Sequence, residues 1–103
     1  MAKSAREAYE RAVEDLARVA DGLRLEAKGE EEIARTLVAM RNEFKRTFRA
    51  FDPPAAVTLM ERRNRAKYGD PLGPNADWFY KRYGNWDLVV AAACRPARLS
   101  DLL

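Results

Sequence analysis

The sequence of 103 residues contains no histidine and only one cysteine. Without histidine the chain lacks the commonest general base and zinc ligand, which excludes Ser-His and Cys-His nucleophile systems. A single cysteine forms no internal disulfide, and Cys94, which follows an alanine run, is expected to pack as a small apolar residue. We predict no cofactor and no metal site: a site built on Cys and His is excluded, and a carboxylate-only magnesium site, although not excluded, finds no tight Asp/Glu cluster outside the N-terminal helices. Any acid–base chemistry therefore falls to Asp, Glu, Lys or Tyr.

Long apolar runs and glycine-rich phosphate loops are also missing. No run approaches the roughly 20 apolar residues that span a bilayer, and residues 1–7 contain no apolar signal-peptide core. Neither a Walker loop nor a G-x-G-x-x-G motif is present. We expect no membrane partner and a cytoplasmic site of action, with any export directed by a signal on a larger protein.

Apolar residues recur at helical spacing over the first half of the chain. Ser4 and Glu7 fit a capping box, so the pattern predicts a long first helix to Lys28, followed by a left-handed Gly29. A second amphipathic helix starts near Glu30 and is stopped by Asp52-Pro53-Pro54. The first apolar stripe comprises Ala5, Ala8, Ala12, Leu16, Val19, Leu23 and Ala27, and the second comprises Ile33, Leu37, Met40, Phe44, Phe48 and Phe51.

Three further helices are predicted over residues 53–68, 76–83 and 86–94. Asp52, Asn75 and Asn85 are residue types that cap helix N-termini, and Gly84 is suited to end the fourth helix. No segment alternates at the period of a strand. The short connection between the first two helices predicts an antiparallel hairpin.

These elements predict a single all-α domain, a small helical bundle of about five helices. Two helices are longer, one is of middle length and two are short. Residues 1–28 form the amphipathic N-terminal helix, and residues 29–96 form a basic helical body.

Charge is divided unevenly along the chain. Residues 1–32 carry six basic and nine acidic side chains, so they have a net charge of −3, and the rest of the chain is +6 because the whole is +3. A basic body is expected to attract an anionic partner, such as RNA or another polyanion. The predicted anion-binding face consists of Arg41, Lys45, Arg49, Arg62, Arg65, Lys81 and Arg82. An ordinary solvated face and a surface for an acidic protein are the alternatives.

The segment from residue 62 to residue 74 begins as a basic helix and ends in a loop with two Gly and two Pro among its last six residues. These turn residues fix a loop shape that a simple connection between helices does not need. Helical spacing places Arg63 near the apolar side of its helix, where a guanidinium needs an acceptor such as Asp70 or Asp77. If the domain cleaves RNA, Arg63 and Lys67 would stabilise phosphate charge, and Asp70 or Tyr68 would transfer the proton.

Aromatic residues cluster after this loop. In so small a domain some of these rings must form the core, and Phe79 and Trp86 are the expected core members. Tyr68, Tyr80 and Tyr83 are candidates for stacking on nucleic-acid bases, because they lie beside Arg and Lys.

Residues 63–74 resemble a segment of the C-terminal, effector-associated domains of bacterial polymorphic toxins of the Rhs and contact-dependent inhibition types. The run reads Arg63-Asn64-Arg65-Ala66-Lys67-Tyr68-Gly69-Asp70-Pro71-Leu72-Gly73-Pro74. Three other motifs fall at similar intervals, so the resemblance covers residues 29–96: Glu30-Glu31-Glu32-Ile33-Ala34-Arg35, Arg41-Asn42-Glu43 and Gly84-Asn85-Trp86. The family pattern has Gly-Lys-Ser-Trp before the last helix where this chain has Tyr83-Gly84-Asn85-Trp86, so no role for a lysine is carried over there.

The resemblance implies a domain that is delivered into a rival cell as part of a larger secreted protein. It also implies a cognate immunity protein, and an acidic one would suit the basic body.

Two functions are therefore predicted. One is an effector of interbacterial competition that acts on RNA or a nucleotide, and the other is a non-catalytic helical module that binds nucleic acid or protein. Self-association through the alanine-rich N-terminal helix is a third possibility, and the oligomeric state does not follow from the sequence.

Overall fold

Residues 5–47, 54–69 and 73–95 are described by a computed structural model of the chain. They form six helices and, within these ranges, no strand: α1 (Ala5–Glu14), α2 (Leu16–Leu25), α3 (Glu30–Thr47), α4 (Pro54–Tyr68), α5 (Ala76–Tyr83) and α6 (Trp86–Ala93). The predicted all-α fold, a small helical bundle, is confirmed. No helix in the described ranges is long and apolar enough to cross a membrane.

The predicted first helix is divided in two at Asp15. The backbone N–H of Arg18 bonds to the carbonyl of Asp15 at 3.0 Å, a three-residue bond that tightens the turn. Tyr9 and Val13 are buried on α1, whereas Ala8 and Ala12 of the predicted stripe are only partly buried, and the side chain of Ala5 lies outside the described residues. The stripe prediction is therefore wrong for α1, because the larger apolar side chains face the core and the turn at Asp15 changes the register.

The end of α2 also differs from its prediction. Ala27, not Gly29, adopts the left-handed conformation, with φ of 62°. The N–H of Ala27 bonds to the carbonyl of Arg24 at 3.0 Å, and the N–H of Lys28 bonds to that of Leu23 at 3.1 Å. These two bonds form a Schellman motif, in which an alanine occupies the position that usually holds glycine.

Helix α3 lies at the centre of the bundle, in contact with α1, α2, α5 and α6. The prediction for its apolar stripe is confirmed for Ile33 and Leu37, which are fully buried, and Met40 and Phe44 are partly buried against the core. Phe48 and Phe51, predicted to continue the stripe, lie outside the described residues. Both α1 and α2 pack on α3, in agreement with the predicted helical hairpin.

The caps predicted for the last two helices are confirmed. The side chain of Asn75 accepts a hydrogen bond from the N–H of Trp78 at 2.8 Å, and that of Asn85 accepts one from Leu88 at 2.8 Å. Gly84 has φ of 84° and ends α5. As a result α5 and α6 form a tight pair that closes the core over α3.

Helix α4 stands apart from this core. The cluster of buried apolar side chains is built from α2, α3, α5 and α6, and none of its members lies on the described part of α4. Leu59 on α4 is 68% exposed. Among the described side chains of α4, only Asn64 and Tyr68, towards its C-terminal end, are buried.

Candidate nucleic-acid interface

Arg41 lies inside the core and not on the predicted anion-binding face. Its side chain is 0% exposed. Its Nη1 donates to the carbonyl of Ala92 at 2.9 Å and to that of Arg95 at 3.3 Å, and its guanidinium lies 5.0 Å from the ring centre of Phe79. The prediction that Arg41 binds an external anion is wrong, because α6 covers that side of α3. The guanidinium instead donates to carbonyls at the C-terminal end of α6.

Lys45, one turn further along α3, lies against the loop that precedes α5. A Cβ atom placed on Gly73 would be 2.6 Å from the Nζ of Lys45 and 3.0 Å from the Oδ1 of Asn42. The Nδ2 of Asn42 also donates to the carbonyl of Pro74 at 3.3 Å. Gly73 therefore lies close to α3, and a side chain there would require the flexible end of Lys45 to move.

Arg63 is exposed, whereas the next residue, Asn64, is 9% exposed. The prediction of a partly buried Arg63 is therefore wrong. Asp77, one of its expected acceptors, instead accepts from Arg35 at 2.9 Å. The register differs from the prediction because the ring of Tyr68, 8% exposed, decides which side of α4 faces the bundle.

Three other predicted site residues are placed as follows. Arg49 and Asp70 lie outside the described residues. Lys67, on the last turn of α4, is exposed. Of the four residues assigned to RNA cleavage, Lys67 and Tyr68 therefore lie together at the C-terminal end of α4, while Arg63 is exposed to solvent.

The C-terminal end of α4 is fixed to the start of α5. The Nδ2 of Asn75 donates to the carbonyl of Tyr68 at 3.1 Å, while its Oδ1 caps α5. The rings of Tyr68 and Trp78 meet edge to face, with their centres 5.3 Å apart and their planes at 77°. One asparagine and two rings therefore define how α4 and α5 meet.

Two cations lie over these two rings. The Nζ of Lys67 is 5.3 Å from the ring centre of Tyr68, and the guanidinium carbon of Arg82 is 5.6 Å from the ring of Trp78. Both cationic side chains are exposed. We call these four residues the basic–aromatic junction.

Several cations around this junction form no ion pair with a carboxylate in the described ranges. In ranges 54–69 and 73–95 no ion pair involves Arg62, Arg63, Arg65, Lys67 or Lys81, and all five are exposed. Together with Arg82 they form what we call the basic surface. Glu61 lines the same depression as Arg62 and Arg65 and offsets part of this charge, but the surface keeps a net positive charge.

Several cations on α2 and α3 are paired with carboxylates, whereas Arg11 on α1 and Arg18 on α2 form no ion pair in the described ranges. Arg24 is 2.8 Å from Glu30 and Arg35 is 2.9 Å from Asp77. The hydrogen bond from Arg24 holds the pKa of Glu30 below its ordinary value, and the bond to Asp77 raises the pKa of Arg35. The charges of these pairs largely cancel, so this side of the bundle is a weaker attractor of anions.

The aromatic rings predicted to stack on bases are engaged within the protein. Tyr80 stacks on Trp86 at 4.3 Å, and Arg35 covers Trp86 at 5.0 Å. Tyr83 stacks on Phe79 at 6.0 Å. Phe79 is in the core as predicted, at 1% exposure, whereas Trp86 is only half-buried against it.

Trp78 belongs to the aromatic cluster that follows the loop, but no stacking role was predicted for it. The sequence feature that indicates a cation beside this ring is the spacing of Trp78 and Arg82, which are four residues apart and so share one side of α5.

Cys94 is half-buried beside the core, in keeping with its predicted apolar packing. Burial raises the pKa of its thiol, and a thiol held in its protonated form is a poor nucleophile. The described residues also contain no group of three or more His, Cys, Asp or Glu side chains that could hold a metal ion. The interface therefore consists of cations and rings.

No family model, curated protein or solved structure matches this chain.

Proposed function

We propose that this domain binds nucleic acid through the basic surface of α4 and α5. The observation that carries the proposal is the set of exposed cations that have no carboxylate partner in the described ranges. Phosphates that replace the counterions of such a surface bind it with an affinity that falls steeply with salt.

The position of α4 supports the same function. Because the core cluster takes no described side chain from α4, a ligand can cover the exposed cations of this helix without disturbing the core. The junction with α5 nevertheless fixes the end of α4, so that the cations of both helices are presented together. A fixed surface loses less conformational entropy on binding than a mobile one.

Binding is tested with fluorescent RNA and DNA oligonucleotides at two salt concentrations. Wild type is compared with Arg62→Gln/Arg65→Gln and with a charge-matched control, Arg11→Gln/Arg18→Gln, in exposed positions of α1 and α2. The α4 variant is expected to lose about tenfold in affinity near 0.1 M salt. Equal losses in the two variants would show that net charge alone drives binding, and absence of salt-sensitive binding in wild type would refute the proposal.

An effector of interbacterial competition is the biological setting suggested by the sequence resemblance. Such an effector would act on the RNA or nucleotide held at the basic surface. Its test is bacterial viability after induced expression of wild type and of Lys67→Ala/Asp70→Ala at matched soluble protein levels. Killing by the wild type alone supports the effector, while equal harmlessness of both favours a binding module without catalysis.

A further inference from the structure

We infer that the basic–aromatic junction binds single-stranded nucleic acid, with an unpaired base stacked on Trp78 and with Arg82 and Lys67 on the flanking phosphates. The inference rests on the proposed function and specifies which form of nucleic acid the surface takes. Its basis is that two exposed cations lie over the two rings that join α4 to α5.

Trp78 is held in place from two sides. Its ring meets Tyr68 edge to face at 5.3 Å and Phe79 edge to face at 5.0 Å, and its backbone N–H bonds to the cap residue Asn75. A ring fixed in this way offers a preformed platform, because stacking a base on it requires little ordering of the protein.

Arg82 covers Trp78 with a group that can move. Its side chain is exposed, and its guanidinium carbon lies 5.6 Å from the ring centre. A cation–π contact made by an exposed cation contributes only modestly to stability, so a base can compete with Arg82 for this half-buried ring. The displaced guanidinium stays within reach of the phosphate of the same nucleotide, or stacks on the other side of the base.

The junction favours single strands over duplexes. In a duplex the faces of the bases are stacked on one another, and only unpaired bases can stack on a protein ring. A second aromatic pair, Tyr80 and Trp86, is less suited, because the two rings stack on each other at 4.3 Å and Arg35, which also covers Trp86, is ion-paired with Asp77.

Fluorescence of a protein with one tryptophan tests the inference. Trp86→Phe leaves Trp78 as the only tryptophan of the chain and removes no member of the junction. This protein is titrated with a single-stranded oligonucleotide of about 12 nucleotides, a duplex of equal length, and inorganic polyphosphate, which has charge but no bases. Binding of each is measured in parallel by competition against a labelled oligonucleotide.

The expected result is quenching of Trp78 emission by the single strand and none by polyphosphate at equal occupancy. Trp78→Leu should lower the affinity for the single strand about tenfold, with unchanged affinity for polyphosphate, provided that circular dichroism shows a folded protein. Binding of single strand and duplex with equal affinity and without quenching would overturn the inference and leave the proposed function standing. Failure of all three polyanions to bind would refute both.

Discussion

Arg41 on α3 is fully buried and hydrogen-bonded to carbonyls of α6, whereas Arg62 and Arg65 on α4 are exposed and have no carboxylate partner in the described ranges. The first kind of arginine belongs to the bundle centred on α3, where charge is used to join helices. The second kind belongs to a helix that shares little of the core. The comparison teaches that the net positive charge of the chain does not by itself identify a binding face, since some cations serve the fold.

Removing Arg41 should have the largest effect on folding. Arg41→Ala deletes two hydrogen bonds from a buried cation and leaves a cavity, so we expect a loss of about 3 kcal/mol in the free energy of unfolding. Arg46→Ala, in an exposed position of the same helix, should change it by less than about 0.5 kcal/mol. Urea unfolding measures the free energy of unfolding of both variants. Similar losses in the two would contradict the claim that Arg41 stabilises the fold whereas exposed arginines do not.

Asn75 links the two regions, and three variants separate its two roles. Asn75→Ala removes the cap of α5 and the bond to Tyr68, with an expected cost of about 2 kcal/mol. Asn75→Asp keeps a capping oxygen but lacks the donor to Tyr68, while Asn85→Ala removes only the cap of α6. Asn75→Asp and Asn85→Ala should each lower the free energy of unfolding by about 1 kcal/mol.

Among these three variants, those at Asn75 alone should also weaken nucleic-acid binding, because only they release α4 from α5. Thermal unfolding and binding measured on the same samples check the two effects. Weaker binding by Asn85→Ala would show that general loss of stability, not the junction, controls affinity.

Ala27→Gly is expected to stabilise the bundle by about 1 kcal/mol. A left-handed alanine is strained, and glycine relieves that strain. The matched control is the reverse change, Gly29→Ala, at a residue that does not have the positive φ and has open space around its Cβ position. Ala27→Gly should have the highest midpoint of thermal unfolding among Ala27→Gly, Gly29→Ala and wild type. Its affinity for nucleic acid should be unchanged, because the basic surface lies elsewhere.

The smallest expected effect concerns pH. The folded pKa of Glu30 is lowered by Arg24, so the pair contributes stability above the ordinary pKa of a glutamate, and this contribution is lost as pH falls through the folded pKa. Glu30→Gln should therefore be slightly less stable than wild type at neutral pH, with the difference vanishing in acid. Unfolding curves across this pH range measure it, and a difference that grows in acid would contradict the assignment.

Much of the fold was predictable because periodicity and caps act locally. The stripe of α3 and the caps Asn75 and Asn85 follow from residue spacing alone. The break at Asp15 and the left-handed Ala27 were not predictable, since neither position holds the glycine or proline that usually marks such a feature.

The candidate site was predictable in its charge but not in its geometry. The sequence places several cations on one segment, yet helical spacing alone could not show that α6 would cover Arg41 or that Asp77 would bind Arg35. The stacking role of Trp78 was missed for the same reason, because it depends on a contact between two helices that are separate in sequence.

The most direct test of the account is the salt dependence of affinity for a single-stranded oligonucleotide, measured for wild type, Arg62→Gln/Arg65→Gln and Arg11→Gln/Arg18→Gln. Each phosphate contact contributes about 0.7 to the slope of log affinity against log salt. We predict a slope shallower by about 1.4 for the α4 variant and an unchanged slope for the α1–α2 control. Identical slopes for all three proteins would contradict the claim that the cations of α4 contact the phosphates.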